Sequence, residues 1–350
     1  MQRAYFLGSA TPNGFATPFW AAHSDFYGYY LKGGPGTGKS TLMKKIAAEF
    51  ASERVTVYHC ASDPRSLDAV VLEERRVFIA DATAPHEAST PLPFVTGELV
   101  DLGAVLRREP IAAHAAEIRA LYAQNQAAHA QARRGLSGIG AMEDTVSAAG
   151  SSALLREKLR GYAARLAKRM LPPKKDADGR ILQRQCHALT PAGGVTWLPE
   201  GCGAVLLHDP CRAAGEMLLT LLSEHAAARG YCAEITCSQT QTARPVTHLI
   251  LPECGTALIL APEGTDPAVP QPAGVLRMQR FYDPAKLRGQ RSLVRFCNKT
   301  AAELKQQTAA ILADALRLHD ELESYYIGAL DLPALDRITA DLCARMRETP

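Results

Sequence analysis

Residues 28–50 read GYYLKGGPGTGKSTLMKKIAAEF. Gly33, Gly38, Lys39 and Ser40 satisfy the spacing G-x-x-x-x-G-K-[ST]. Tyr29, Tyr30 and Leu31 precede it as a short strand. Leu42, Met43, Ile46, Ala47 and Phe50 follow at helical spacing, which gives the helix a buried face. Glycines at 33, 34, 36 and 38 let the backbone curl so that successive N–H groups converge on an anion. The helix N-terminus adds positive potential at the same place. Gly33, Gly34, Pro35, Gly36, Thr37, Gly38, Lys39, Ser40 and Thr41 are therefore the expected phosphate contacts. Lys39 is expected to reach the β- and γ-phosphates and Ser40 to ligate Mg²⁺. Thr41 is expected to cap the helix or touch the α-phosphate.

A partner motif lies downstream in RRVFIADATAPHE, Arg75 to Glu87. Val77 to Ala80 are apolar, as in a central parallel strand, and Asp81 ends the run. A carboxylate at that strand end can hold Mg²⁺ opposite a phosphate loop. The residue after Asp81 is Ala82, where many ATPases place a water-activating glutamate. A base must come from elsewhere, or hydrolysis is slow. Between the motifs, RVTVYHCASDPRSLDAV (Arg54 to Val70) supplies a second expected parallel strand, ending at His59-Cys60. Ligands of open α/β sheets sit beyond the carboxyl ends of strands. Asp63, His86 and Glu87 are candidate catalytic residues beside Lys39 and Asp81 on that ground, and His59 also faces that end. Turn-forming or helix-capping roles are the alternative for each. Cys60 reads as a small buried strand residue rather than a nucleophile.

The order of segments repeats. LTPAGG (189–194), AVLLHDPCRAAGEMLLTLL (204–222), EITCSQT (234–240) and ALILAPEG (257–264) follow the sequence of the first half. Thr11-Pro12 pairs with Thr190-Pro191, Pro35 with Pro210, Cys60 with Cys237, and Ala84-Pro85 with Ala261-Pro262. An internal duplication is expected. In the copy, Ala214 and Gly215 stand for Lys39 and Ser40, His208 and Asp209 replace the first two glycines, and Leu260 falls near the Asp81 position. The second half keeps the scaffold of the site without its chemistry.

Ala-rich helical segments follow each core, at 111–170 and 300–346, the latter including the polar HDELESYY (319–326). The fold class is thus α/β, a P-loop NTPase core with a parallel sheet, duplicated, each half followed by a helical appendage. The expected divisions are 1–106, 107–172, a linker at 173–180, 181–297 and 298–350. The chain has 350 residues, 47% of them hydrophobic, and a net charge of +3. That length suggests two domains, and the charge does not favour nucleic acid. The basic excess over 153–180 reads first as a solvated helix face, with nucleic acid or an acidic partner as the alternative. No stretch reaches the length of a membrane span, and MQRAYFLGSATPNG lacks a leader design. A cytoplasmic protein is expected, its nine cysteines free thiols with no CxxC pair for zinc.

The stretches LKGGPGTGKSTLMKKI, YHCASDPRSLD and IADATAPHE, and more weakly HDELESYYIGALD, resemble a family of bacterial P-loop ATP-binding proteins built from two P-loop-like halves. The resemblance implies ATP binding or ATPase activity. The second half of that family often keeps its own phosphate loop, and this chain departs there. A guanine-specific NKxD is missing, since Thr300 and Ala301 follow Asn298-Lys299. ATP with Mg²⁺ is the default ligand. The primary reading is a slow ATPase acting as a conformational switch, with the helical appendages as the surface for a protein partner. Small-molecule kinase and non-hydrolysing ATP-binding module are the alternatives. Arg212 or Arg280 is the expected source of any arginine finger from the second half.

Overall fold

The computed structural model describes residues 3–174 and 178–348, so Lys175, Asp176 and the middle of the 173–180 linker lie outside the described residues. The first half runs β1 (Arg3–Phe6), a hairpin β2 (Ser9–Thr11) and β3 (Gly14–Ala16), α1 (Phe19–Ala22), β4 (Tyr27–Lys32) and α2 (Lys39–Glu49). It continues with β5 (Val55–His59), β6 (Leu67–Leu72), β7 (Val77–Asp81) and β8 (Gly97–Asp101), then α3 (Arg108–Ala113), α4 (Ala115–Ala153) and α5 (Arg156–Met170). The second half runs β9 (Arg180–Gln183), β10 (His187–Thr190), β11 (Gly193–Thr196), β12 (Gly203–His208), α6 (Ala213–Ala227) and β13 (Cys232–Cys237). There follow β14 (Val246–Leu251), β15 (Thr256–Ala261), β16 (Gly274–Arg277), α7 (Pro284–Arg288), α8 (Arg291–Ile327) and α9 (Leu332–Glu348).

The two six-stranded sheets have one topology. The first has the order β1-β5-β6-β7-β4-β8. The second, read from its β9 edge, is β9-β13-β14-β15-β12-β16, the same order element for element. The expectation of a purely parallel sheet needs correction. In each half one strand, β6 or β14, runs antiparallel to both neighbours. The cause is a short connection. Asp63-Pro64 turns the chain straight back into β6, and a parallel return would need a crossover of a dozen residues or more. Even the irregularities match: a register shift sits between Tyr58 and His59 and again between Thr236 and Cys237. In the hairpins, Thr11 donates to the Gly14 carbonyl at 2.8 Å and Thr190 to the Gly193 carbonyl at 2.9 Å.

Register also corrects three pairings read from the sequence. His59, not Cys60, stands opposite the place of Cys237. Leu31 pairs with Asp81 as Leu207 pairs with Leu260, so Gly33 corresponds to Asp209 and Ala82 to Ala261. The first α2 hydrogen bond runs from Leu42 N to Gly38 O, and the first of α6 from Glu216 N to Arg212 O. Lys39 and Ser40 therefore correspond to Ala213 and Ala214, one residue earlier than the sequence suggested. The loop between strand and helix is six residues in the first half and four in the second.

The long helices exchange partners. Helix α5, which follows the first core, packs on α6 of the second, its Leu159, Ala163 and Leu166 buried with Leu218 and Leu222. Helix α9 packs on α2 of the first core through Leu335, Leu342 and Met346, buried with Leu42 and Ile46. Two isolated bridges mark the crossing points, Leu106 to Leu330 and Leu154 to Tyr282. Helices α4 and α8 lie against each other between these ends. Gly135 permits the contact, since a Cβ there would meet the Thr308 hydroxyl at 2.2 Å. The first strands also join the halves. Phe6 N donates to Gln185 O at 2.8 Å, and Tyr5 donates to the buried Glu234 carboxylate at 2.5 Å. Among the described residues, no helix is long and apolar enough to cross a membrane. The basic residues of α5 lie on its exposed side, with Arg156, Lys158 and Arg160 in solvent.

Candidate functional site

The glycine loop closes at the carboxyl ends of β4 and β7. Gly36 and Gly38 have φ of +68° and +82°, which an L side chain rarely adopts, and these two residues let the loop turn back on itself. Thr37 is buried and donates to the Gly34 carbonyl at 2.9 Å, bracing the curl from inside. Lys39 opens α2 and folds back over the loop. Its Nζ donates to the Gly33 carbonyl at 2.7 Å and the Gly34 carbonyl at 2.9 Å, and lies 3.6 Å from the Asp81 carboxylate. Asp81 itself accepts from Thr83 N at 2.8 Å, while the Thr83 hydroxyl donates to Gly33 O at 3.0 Å. The strand end and the loop are thus clamped together. The Ser40 hydroxyl accepts from Leu67 N at 3.0 Å, which ties α2 to β6. Thr41 is exposed and Pro35 half-buried on the loop.

The other predicted residues fare unequally. Asp63 spends its carboxylate on its own turn, accepting from Arg65 N at 3.2 Å and from the Ser66 hydroxyl at 2.7 Å. The turn-forming alternative describes it. His59 hydrogen-bonds with the Pro64 carbonyl at 2.8 Å and stacks on Trp197, ring centroids 4.7 Å apart; burial lowers its pKa. Glu87 is exposed. His86 is buried, edge-on to Phe15, with Nε2 3.5 Å from Asp68. Cys60 is no nucleophile, because burial, with the Asp68 carboxylate adding to it, pushes its thiol well above the ordinary value. Arg212 and Arg280 are both engaged elsewhere. Arg212 is held by Glu143, Glu216 and Gln241, and Arg280 lies over the Tyr162 ring.

Asp68 is the residue that the sequence reading passed over. It is the second residue of β6, a strand buried along its whole length. Burial pushes its carboxyl up to about 6, the Asp81 charge adds to this, and His86 and Lys39 oppose it. Among the described residues its Oδ2 has no hydrogen-bond partner. A lone Asp in LDAVVL was the available signal, since buried carboxylates are rare without a reason.

A second overlooked group caps the loop. Glu323 of α8 accepts from Gly36 N at 3.1 Å. A Cβ at Gly36 would come within 2.9 Å of Tyr326 Cβ, and one at Gly38 within 2.5 Å of Leu335. The end of α8 and the start of α9 therefore sit directly on the loop. His319, 3.3 Å away, together with the Gly36 amide and Lys39, holds the Glu323 carboxyl below its ordinary range.

In the second half a carboxyl group of the chain fills the corresponding place. Asp209 is fully buried and accepts from Cys211 N at 3.1 Å, Gly215 N at 2.8 Å and the Tyr282 hydroxyl at 2.8 Å. Arg212 stands where Gly38 stands, with φ of +60°.

Ser40 and Asp81 carry hard oxygen donors of the kind that divalent cations such as Mg²⁺ take. Comparison of the chain with protein-family models, with curated proteins and with solved structures gave no significant match.

Proposed function

We propose that the first half binds Mg·ATP and hydrolyses it slowly, and that α8 and α9 report the state of the nucleotide. The observation that carries this reading is the placement of Lys39. Its ammonium, at a helix N-terminus, folds back onto the Gly33 and Gly34 carbonyls of the glycine loop and lies 3.6 Å from a strand-end carboxylate. Phosphate oxygens would replace the Gly33 and Gly34 carbonyls as its partners. Ser40 and Asp81 would hold the metal, which would neutralise charge developing on the phosphates. Asp68 is the residue we assign to orienting and deprotonating water, since the position after Asp81 is occupied by Ala82.

The switch follows from Glu323. A phosphate cannot take the Gly36 amide while a carboxylate holds it, and the two anions repel. Binding must therefore push the end of α8 away, along with the α9 residues that rest on Gly38. A kinase reading has no observation in its favour, because His59 and Asp63, the residues available for an acceptor, are engaged with Trp197, Pro64 and the Asp63 turn. Hydrogen exchange of the full chain tests the switch. Adding Mg·ATP should raise exchange over residues 319–335 and lower it over 33–41. Protection of the loop with no change in α8 would contradict the switch and leave a plain ATP-binding module.

A further inference from the structure

The second half holds a cavity of about 690 Å³ at the carboxyl ends of its strands, next to the collapsed loop. It is enclosed by the β10–β11 hairpin, the loops after β13 and β15, and helices α4 and α8. Its size is that of a small-molecule site. His187 and His248 both line it, their rings 5.0 Å apart and within 21° of parallel. His248 is 4% exposed, and among the described residues its Nε2 has no hydrogen-bond partner. Burying such an atom unpaired costs roughly 1–3 kcal/mol, which a ligand group would recover.

The hydrogen bonds favour one kind of group. Thr247 Oγ1 lies 3.2 Å from the Thr236 carbonyl, which can only accept, and 2.9 Å from His248 Nδ1. With the hydroxyl proton directed at the carbonyl, Nδ1 donates to Thr247. With the proton on Nδ1, Nε2 carries a lone pair. The missing partner is a donor.

The charges exclude an anion. The Arg212 guanidinium is spent on Glu143, Glu216 and Gln241, and Lys305 on Glu143 at 2.7 Å. Glu263 and Asp266 face the same cavity. The loop amides that would bind phosphate are taken by Asp209. Nor is the cavity a mere relic of the lost site. The hairpin and strand registers put Gly8 where His187 stands and Ala69 where His248 stands, so the imidazole pair belongs to this half alone.

We propose that this cavity binds an uncharged, planar molecule of nucleoside size, which donates a hydrogen bond to His248 Nε2 and rests among Leu189, Pro191 and Ile139. The assignment is independent of what the first half binds.

The test uses the full chain with ¹⁵N-labelled histidine and the four ribonucleosides as probes. At least one of adenosine, guanosine, cytidine and uridine should move the His248 Nε2 resonance upfield, as an acceptor gaining a donor does. The corresponding monophosphate should bind there more weakly. In His248→Phe the affinity read by titration calorimetry should fall ~tenfold, the loss of one hydrogen bond. No shift at His248 with any of the four nucleosides overturns the proposal. So does tighter binding of the monophosphate at His248. If His248→Phe fails to fold, the wild-type resonance decides alone.

Discussion

Glu323 lies 287 residues from Gly36 in sequence and accepts a hydrogen bond from its amide at 3.1 Å. The carboxylate thus occupies one of the positions where a phosphate oxygen would sit. Removing its charge should strengthen binding rather than weaken it. Glu323→Gln should tighten Mg·ATP by roughly tenfold, since a hydrogen bond to a charged group contributes about 1.5–3 kcal/mol and the glutamine keeps part of it. Titration calorimetry on the wild type and the variant checks this. Equal or weaker affinity in the variant would remove Glu323 from the switch.

Asp68 should separate binding from turnover. Asp68→Asn keeps shape and hydrogen-bonding capacity but loses the base. Phosphate release should fall by about 10²–10⁴, the usual contribution of a positioned base, with nucleotide affinity nearly unchanged. Asp63→Asn and Glu87→Gln should leave the rate alone, because one carboxylate serves its own turn and the other is exposed. A rate that survives Asp68→Asn and drops with Asp63→Asn would reverse the assignment.

Glu143 gives a pH signature for the second half. Burial alone would raise its carboxyl, but Arg212 and Lys305 outweigh burial and hold it at about 2, against an ordinary 4.5. The folded value is depressed, so the stabilisation is present above pH 4.5 and is lost as pH falls towards 2. A shift of that size corresponds to roughly 3 kcal/mol. Urea unfolding should find Glu143→Gln less stable than wild type by about that amount at neutral pH. The gap should narrow once pH drops below 4.5. A gap that is constant with pH would mean the pair contributes through packing rather than charge.

Exchange of helices makes the halves interdependent. Residues 1–172 expressed alone would lack α9 and expose the face of α2 that it covers. Burying one large aliphatic side chain contributes roughly 1.5–3 kcal/mol. Loss of Leu335, Leu342 and Met346 therefore removes on the order of 5–9 kcal/mol, comparable with the ~5–15 kcal/mol net stability of a typical domain. The fragment should not form a soluble, folded monomer by size-exclusion chromatography and circular dichroism. A well-folded monomer would contradict the interdependence.

The sequence exposed those parts of the architecture that local chemistry dictates. Loop residues 33–41 and the apolar runs at β4 and β7 are legible because glycine spacing and strand hydrophobicity act within a few residues. The repeat was legible as an order of segments, but its pairings slipped by one or two residues. A bulge after Tyr58 and a loop shorter by two before α6 are invisible in composition. Strand β6 was missed because Asp68 interrupts its apolar run, and that interruption is the feature that marks the site. The capping by Glu323 and the exchange of α5 and α9 arise from docking between segments that are not neighbours in the chain. HDELESYY shows only a polar helix until the loop it covers is known.

The proposed Mg·ATP site is single and lies in the first half. Titration calorimetry with Mg·ATP counts such sites. One molecule should bind per chain, with affinity reduced roughly 10- to 150-fold by Lys39→Ala through loss of a charged hydrogen bond, and no second site created by Ala213→Lys. Two equivalent sites, no binding at all, or an affinity unmoved by Lys39→Ala would contradict it.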